Sequence, residues 1–220
     1  MKAGMKWALA GVTAIGLGLI GWVGWYESQF EYVDDVDEPD DQEINRIQST
    51  AKGKANAFIS ALLQYLGAPY TWGGATSKQA GLDCSGFAYR GARDISVTIP
   101  RTSKNQAAAC RYVSEEVAKN TAGAFVFYAK KKGTQELLEN ASSIQEKQRI
   151  AKEQGIFHIA VSMGDGRVIE SQCHDAKCCT TGKPCKGGVM YAKWGWWQRK
   201  YDSIYGIMPQ IEVEEYEEEE

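Results

Sequence analysis

The stretch Leu66–Arg90, LGAPYTWGGATSKQAGLDCSGFAYR, constrains this chain more than any other. Its glycines (Gly73, Gly74, Gly81) make a turn-prone run that leads straight into Phe87–Arg93, which reads as a helix. Cys84 then sits in the first turn, where unpaired backbone N–H groups and the positive end of the helix dipole favour a thiolate. A cysteine so placed can ionise readily, and the thiolate is the attacking form. Most free cysteines are small buried hydrophobes. A cysteine on an apolar stripe, however, needs neither glycines before it nor Asp83 and Ser85 beside it. Cys84 is therefore read as a nucleophile.

Charge divides the 220 residues into zones. Glu27–Glu43 holds nine acidic and no basic residues, and Glu212–Glu220 holds seven more acidic ones. Ile44–Gln210 keeps 28 − 16 = 12 acidic and 25 − 2 = 23 basic residues, a body of charge +11 between acidic ends. Such a body is drawn to anionic surfaces or polymers. No nucleic-acid-binding motif accompanies the basicity, so no nucleic acid partner is expected.

Residues 1–6 read as a cytoplasmic N-terminus. Trp7–Tyr26 is an uncharged run of 20 residues, with Lys2 and Lys6 before it and aromatics at both ends. That length spans a bilayer, and the lysines hold the N-terminus inside. A single transmembrane anchor is expected, with the rest of the chain outside the cytoplasm. The competing reading is a signal peptide and secretion after cleavage, but no convincing cleavage site precedes the acidic segment. Residues 27–43 are too acidic and too poor in apolar groups to fold, and read as a linker. Residues 211–220 read as an acidic tail.

The body, residues 44–210, opens with helical periodicity from Ile44 to Leu66, stopped by Gly67. After the Cys84 helix, Thr102 or Ser103 can cap a short helix towards Cys110. Strand patterns follow at Ala124–Ala129, at Phe157–Met163 and Arg167–Ser171 around the turn Gly164-Asp165-Gly166, and at Gly188–Ala192 and Ser203–Met208. Helices first and an antiparallel sheet afterwards predict an α+β domain. Gln135–Gln154 reads as one exposed amphipathic helix within an insertion at 130–156, a surface elaboration that could also dock a protein partner.

A cysteine nucleophile needs a base that takes the thiol proton and later protonates the leaving amine. Of the two histidines, His158 and His174, the first lies near the start of a strand, a rigid mount. Glu170 follows twelve residues later on the neighbouring strand of the hairpin. It is the favoured group to orient the imidazole, ahead of Gln172 and His174.

In order along the chain, LGAPYTWGG, LDCSGF, IPRTS, AGAFVFYA and HIAVSMGDGRVIES resemble the NlpC/P60 family of papain-like cell-wall cysteine peptidases. The resemblance covers about Ile44 to Met208. It implies a papain-like NlpC/P60 fold, with the nucleophile helix packed on an antiparallel sheet; no cofactor or metal is expected. It implies a hydrolase that cuts an amide bond in peptidoglycan stem peptides, usually between γ-D-glutamate and the diamino acid. Cys84 matches the nucleophile, His158 the base and Glu170 the polar third member. Tyr70 matches a tyrosine that helps position substrate and the oxyanion. Asp83 and Ser85 match positions lining the pocket for the N-terminal side of the stem. Glu170 stands where the family often has His, and its charge should raise the imidazole pKa. Ala124 replaces a frequent Asp, and the 130–156 insertion enlarges a connection that is usually short.

Cys173, Cys178, Cys179 and Cys185 crowd a loop at 173–187. Outside the cytoplasm two disulfides are expected there; the alternative, a metal site, lacks a paired C-x-x-C spacing. Cys110 is left over and reads as buried. Trp194, Trp196 and Trp197, beside Arg199 and Lys200, read as packing against the sheet, with sugar stacking as the alternative. The functional reading is a membrane-anchored peptidoglycan endopeptidase. The alternatives are an amidase or crosslink endopeptidase with the same site, or a wall-binding scaffold of a secretion, conjugation or phage apparatus.

Overall fold

The computed structural model describes residues 53–174 and 185–211. In chain order they form helix α1 (Lys54–Leu63), strand β1 (Pro69–Tyr70), helices α2 (Cys84–Asp94) and α3 (Ser103–Ala109), strand β2 (Arg111–Tyr112), helix α4 (Glu115–Asn120) and strand β3 (Phe125–Ala129). Helices α5 (Thr134–Glu139) and α6 (Ile144–Glu153) follow, then strands β4 (Ile156–Ser162), β5 (Arg167–Cys173), β6 (Cys185–Lys193) and β7 (Asp202–Ile207). The strands make one antiparallel sheet in the order β1-β6-β5-β4-β3-β7-β2, with β4 at its centre. This is the α+β architecture expected from helices preceding a meander of strands.

Strand β3 shows why the sheet is covered on both sides. Phe125, Phe127 and Ala129 face a core shared with Phe58, Ile59 and Leu62 of α1 and Phe87 and Ala88 of α2. Val126 and Tyr128 point the other way, into a second cluster with Ala118, Ala160, Val168, Trp194 and Trp197. All five β3 residues are buried, so the strand is a continuous apolar run rather than an alternating one. Phe58 stacks on Phe125 with ring centroids 5.8 Å apart. Burying each such side chain contributes about 1.5–3 kcal/mol.

Helix α2 is held close to α1 by a missing side chain. A Cβ on Gly91 would overlap the Leu62 side chain, so only glycine lets the two axes approach this closely. The contact seats α2 against β4 and β5.

The insertion differs from its sequence reading. Gln135–Gln154 is two helices, α5 and α6, broken at Asn140–Ser143. Ser143 Oγ accepts from Glu146 N at 3.2 Å, while the Glu146 carboxylate accepts from Ser142 N and Oγ at 3.0 and 2.9 Å. These reciprocal caps stop one helix and start the next. The thin apolar stripe is divided: Leu138, Ile150 and Ala151 are buried, and Leu137 and Ile144 are exposed. Helix α6 lies against α3 and α5, and α5 against β7. Strands β1 and β2, each of two residues, leave no periodicity to read, and α4, capped by Ser114, also escapes the apolar pattern.

The expected anchor at 7–26, the linker at 27–43, residues 44–52 of the first helix, most of the cysteine-rich loop and the acidic tail from 212 lie outside the described residues. Among those described, no helix is long and apolar enough to cross a membrane.

Candidate active site

Asp83 organises the start of α2. As N-cap its Oδ1 accepts from Gly86 N at 2.5 Å, satisfying a donor the helix leaves unpaired. Its Oδ2 accepts from Gly73 N at 3.0 Å, which ties the glycine-rich turn to the helix. Arg101 clamps the same carboxylate with both Nη atoms, at 3.0 and 2.7 Å, and also donates to Ser85 Oγ and to Gly74 O. Ser85 Oγ donates to Asp83 Oδ1 at 3.2 Å, and Gln106 Nε2 donates to Ser85 O and Pro100 O. A Cβ on Gly86 would strike Gly74 O, so the turn can close over the helix start only because that position is glycine.

Asp83 and Ser85, singled out as pocket-lining residues, are thus both buried and engaged by neighbours. The Arg101 side chain that bridges them is about one-third exposed. Arg101 lies in the IPRTS segment, but the sequence reading gave it no role. A lone arginine in a loop carries no signal of the carboxylate it will meet 18 residues away. Tyr70 lies on β1, bridged to Leu82 two residues before the cysteine, and is buried.

Cys84 is the first residue of α2 and is almost fully buried. His158 sits on β4 opposite Tyr128 of β3. The ladder between β4 and β5 covers only Val161–Ile169 and Ser162–Val168, which leaves the first half of β4 open on that side. There Cys84 Sγ lies 3.9 Å from Phe157 O, within reach of a thiol donor.

His158 Nε2 and Glu170 Oε2 are 2.5 Å apart. With Nε2 engaged by the carboxylate, Nδ1 is the nitrogen left for Cys84, whose hydrogen bond also acts on the imidazole. Burial pushes the His158 pKa down, but the Glu170 charge and the hydrogen bonds to Cys84 and Glu170 outweigh it, and the net value rises to about 10. Glu170 thus favours a proton on the ring, and that proton can come from the Cys84 thiol beside it. Continuing the β4–β5 register (158 + 172 = 161 + 169) would set Gln172 opposite His158, with Glu170 as the diagonal neighbour. Gln172 instead turns its amide to Met190 Sδ. His174 lies past the end of β5, half-buried, its pKa lowered by burial against the partly opposing charge of Glu170. Of the three residues considered as orienter, Glu170 is the one bonded to His158.

Aromatic rings enclose this pair. Tyr128 stacks on the imidazole at 5.8 Å, Trp197 lies 4.9 Å from it and Phe157 6.4 Å. The indole N–H of Trp197 points at both oxygens of Glu170, at 3.2 and 3.1 Å. Trp194 stacks on Tyr205 and donates to Glu115. Trp194 and Trp197 therefore pack on the sheet, as read from the sequence, and Trp197 in addition reaches the site.

Among the described residues no group of three His, Cys, Asp or Glu side chains is placed to hold a metal. Cys178 and Cys179 fall outside the described residues, and with them the expected disulfide pairing of the loop. Cys110 is buried, and desolvation pushes its thiol pKa up, away from reactivity.

The model of the NlpC/P60 family matches residues 67–194. The bifunctional muramidase/DL-endopeptidase CwlT of Bacillus subtilis is 33% identical over 109 residues, which is 50% of this chain and 26% of that protein. The gamma-D-glutamyl-L-lysine dipeptidyl-peptidase of the same organism is 30% identical over 123 residues, 56% of this chain and 34% of that one. The chain thus spans about a quarter to a third of the length of these relatives. Among solved structures, the P60 domain of antigen MAP1204 from M. avium subspecies paratuberculosis superposes with a TM-score of 0.48 at 19% identity, covering 73% of this chain and 96% of that one.

Proposed function

This chain belongs to the NlpC/P60 family, and from that premise we propose that it is a cysteine endopeptidase acting on the peptide stems of peptidoglycan. The observation that carries the reading is the chain of contacts from Cys84 through His158 to Glu170, a buried imidazole between a cysteine at a helix start and a buried carboxylate.

The chemistry follows from that arrangement. The Cys84 thiolate, its proton on His158 Nδ1, attacks the carbonyl carbon of the scissile amide. The developing oxyanion meets the Cys84 backbone N–H, a type of contact worth about 2.7–4 kcal/mol. Collapse breaks the C–N bond as His158 passes its proton to the leaving amine. Water, deprotonated by the now neutral imidazole, then attacks the thioester and releases the acid, and the thiol–imidazole pair is restored. Glu170 keeps Nε2 occupied and the ring aligned throughout.

The bond favoured is that between γ-D-glutamate and the diamino acid. The names of both relatives, a DL-endopeptidase and a gamma-D-glutamyl-L-lysine dipeptidyl-peptidase, support this choice. The cluster of Asp83, Ser85 and Arg101 with Tyr70 would receive the part of the stem before that bond. The uncharged run Trp7–Tyr26 would hold the domain at the outer face of the membrane, within reach of the wall.

Digestion of purified sacculi by the full-length protein in detergent, followed by mass spectrometry of the muropeptides, tests the reading. New fragments ending in γ-D-glutamate, absent with Cys84→Ala, are expected. Unchanged muropeptides under reducing, neutral conditions overturn it. Product masses separate this bond from a crosslink or the muramoyl–alanine amide.

A further inference from the structure

We propose that Trp197 is a positioning residue of the catalytic centre: its indole N–H fixes the Glu170 carboxylate, which in turn aims His158 at Cys84. Glu170 is fully buried, and among the described residues its hydrogen-bond donors are His158 and Trp197. An ionised carboxylate at such depth needs more than one donor. The indole is shared between Oε1 and Oε2, so it sets the plane of the carboxylate as well as stabilising its charge. With that plane set, Oε2 faces Nε2 of His158, and Nδ1 is turned to the thiol.

Trp197 is itself well held. It lies in the connection between β6 and β7, where its carbonyl accepts from Lys200 N and Tyr201 N. Its ring meets Tyr128 at 5.8 Å, Tyr201 at 5.6 Å and Phe157 edge-on at 6.1 Å. The connection is pinned at one end by Trp194 on Glu115 and at the other by Lys132 Nζ on Tyr201 O at 3.2 Å. At 4.9 Å from the imidazole the indole also excludes water from the His158–Glu170 contact, and a dry contact is electrostatically stronger. A ring that only packed on the sheet would have no reason to direct its single N–H at the carboxylate that serves the base.

The inference rests on the proposed cysteine chemistry, but its test does not require peptidoglycan. In the full-length protein, Trp197 is changed to Phe and, separately, to 3-benzothienylalanine, where sulfur replaces the indole N–H and the ring shape is kept. Alkylation of Cys84 by iodoacetamide at neutral pH is followed on the Cys84 peptide by mass spectrometry. Loss of a hydrogen bond to a charged group should slow it by roughly ten-fold or more in both variants. In a Glu170→Ala background the benzothienyl substitution should have no further effect, because the indole acts through that carboxylate. A benzothienyl variant that alkylates at the wild-type rate, or one that slows the Glu170→Ala protein equally, overturns the proposal. On a stem-peptide substrate kcat should fall in parallel, with KM within about two-fold. If the N–H controls alkylation but no muropeptide is cut, the positioning role stands and the hydrolase reading falls. If muropeptides are cut and the N–H is dispensable, the reverse holds.

Discussion

Cys84 and His158 reach each other from opposite faces of one sheet. Cys84 belongs to the helix-side core with Phe87 and Ile159, whereas His158 lies over Tyr128 of the other face. They meet at the first half of β4, where the ladder to β5 has opened and the Phe157 carbonyl is within 3.9 Å of the thiol. The opening lets a helix-borne cysteine reach a strand-borne histidine.

Glu170 sets the charge of the His158 imidazole. With Glu170→Gln the carboxylate charge beside His158 is gone, and the imidazole, which titrates at about 10 in the native protein, should titrate about one to three units lower. NMR titration of the His158 ring reads this, and an unchanged pKa would show that Glu170 does not hold the imidazolium. The high-pH limb of kcat/KM should move down by the same interval, since a neutral ring cannot protonate the leaving amine.

The same shift links stability to pH. His158 binds its proton more tightly folded than unfolded, at about 10 against 6.5, so its contribution is fully present below about pH 6.5 and is lost as pH rises through about 10. Urea unfolding between these values should show a steeper decline for the native protein than for Glu170→Gln. Equal slopes would rule out the coupling.

Asp83 joins the helix start to the glycine-rich turn. Asp83→Ala removes the cap of α2, about 0.5–2 kcal/mol, and leaves the Arg101 guanidinium without its carboxylate. Asp83→Asn keeps a capping oxygen but not the ion pair, and should fall between Ala and native. Chemical denaturation orders the three; an Asn variant less stable than Ala would mean that the cap contributes nothing.

Gly91 fixes how near α2 sits to α1. Gly91→Ala drives a methyl into Leu62 and should cost about 1–3 kcal/mol despite the better helix propensity of alanine. Leu62→Ala in the same protein removes the clash, so the double variant should be more stable than the sum of the two single losses. Strict additivity would place the cost elsewhere.

The place of Cys84 at a helix start was readable from its neighbourhood, because turn-forming glycines, an Asp cap and a following helix are local signals. The hairpin carrying His158 and Glu170 was readable for the same reason, through Gly164-Asp165-Gly166 and the flanking apolar runs. The break between α5 and α6 was also local, in Ser142, Ser143 and Glu146, but the helical periodicity around it masked it. Arg101 and Trp197 were not readable. Their partners lie 18 and 27 residues away, and a single arginine or tryptophan in a loop looks alike whether it packs, pairs or positions a carboxylate.

By itself, then, the sequence of Leu66–Arg90 determined that Cys84 opens a capped helix, since capping and glycine turns act within a few residues. Hairpin pairing likewise placed Glu170 within range of His158. Which of Glu170, Gln172 and His174 would bond the imidazole was left to the tertiary structure. The β4–β5 ladder opens before it reaches His158, Met190 draws Gln172 away, and Trp197 arrives from another connection to hold Glu170. Each depends on the packing of segments distant in the chain, and no local preference encodes it.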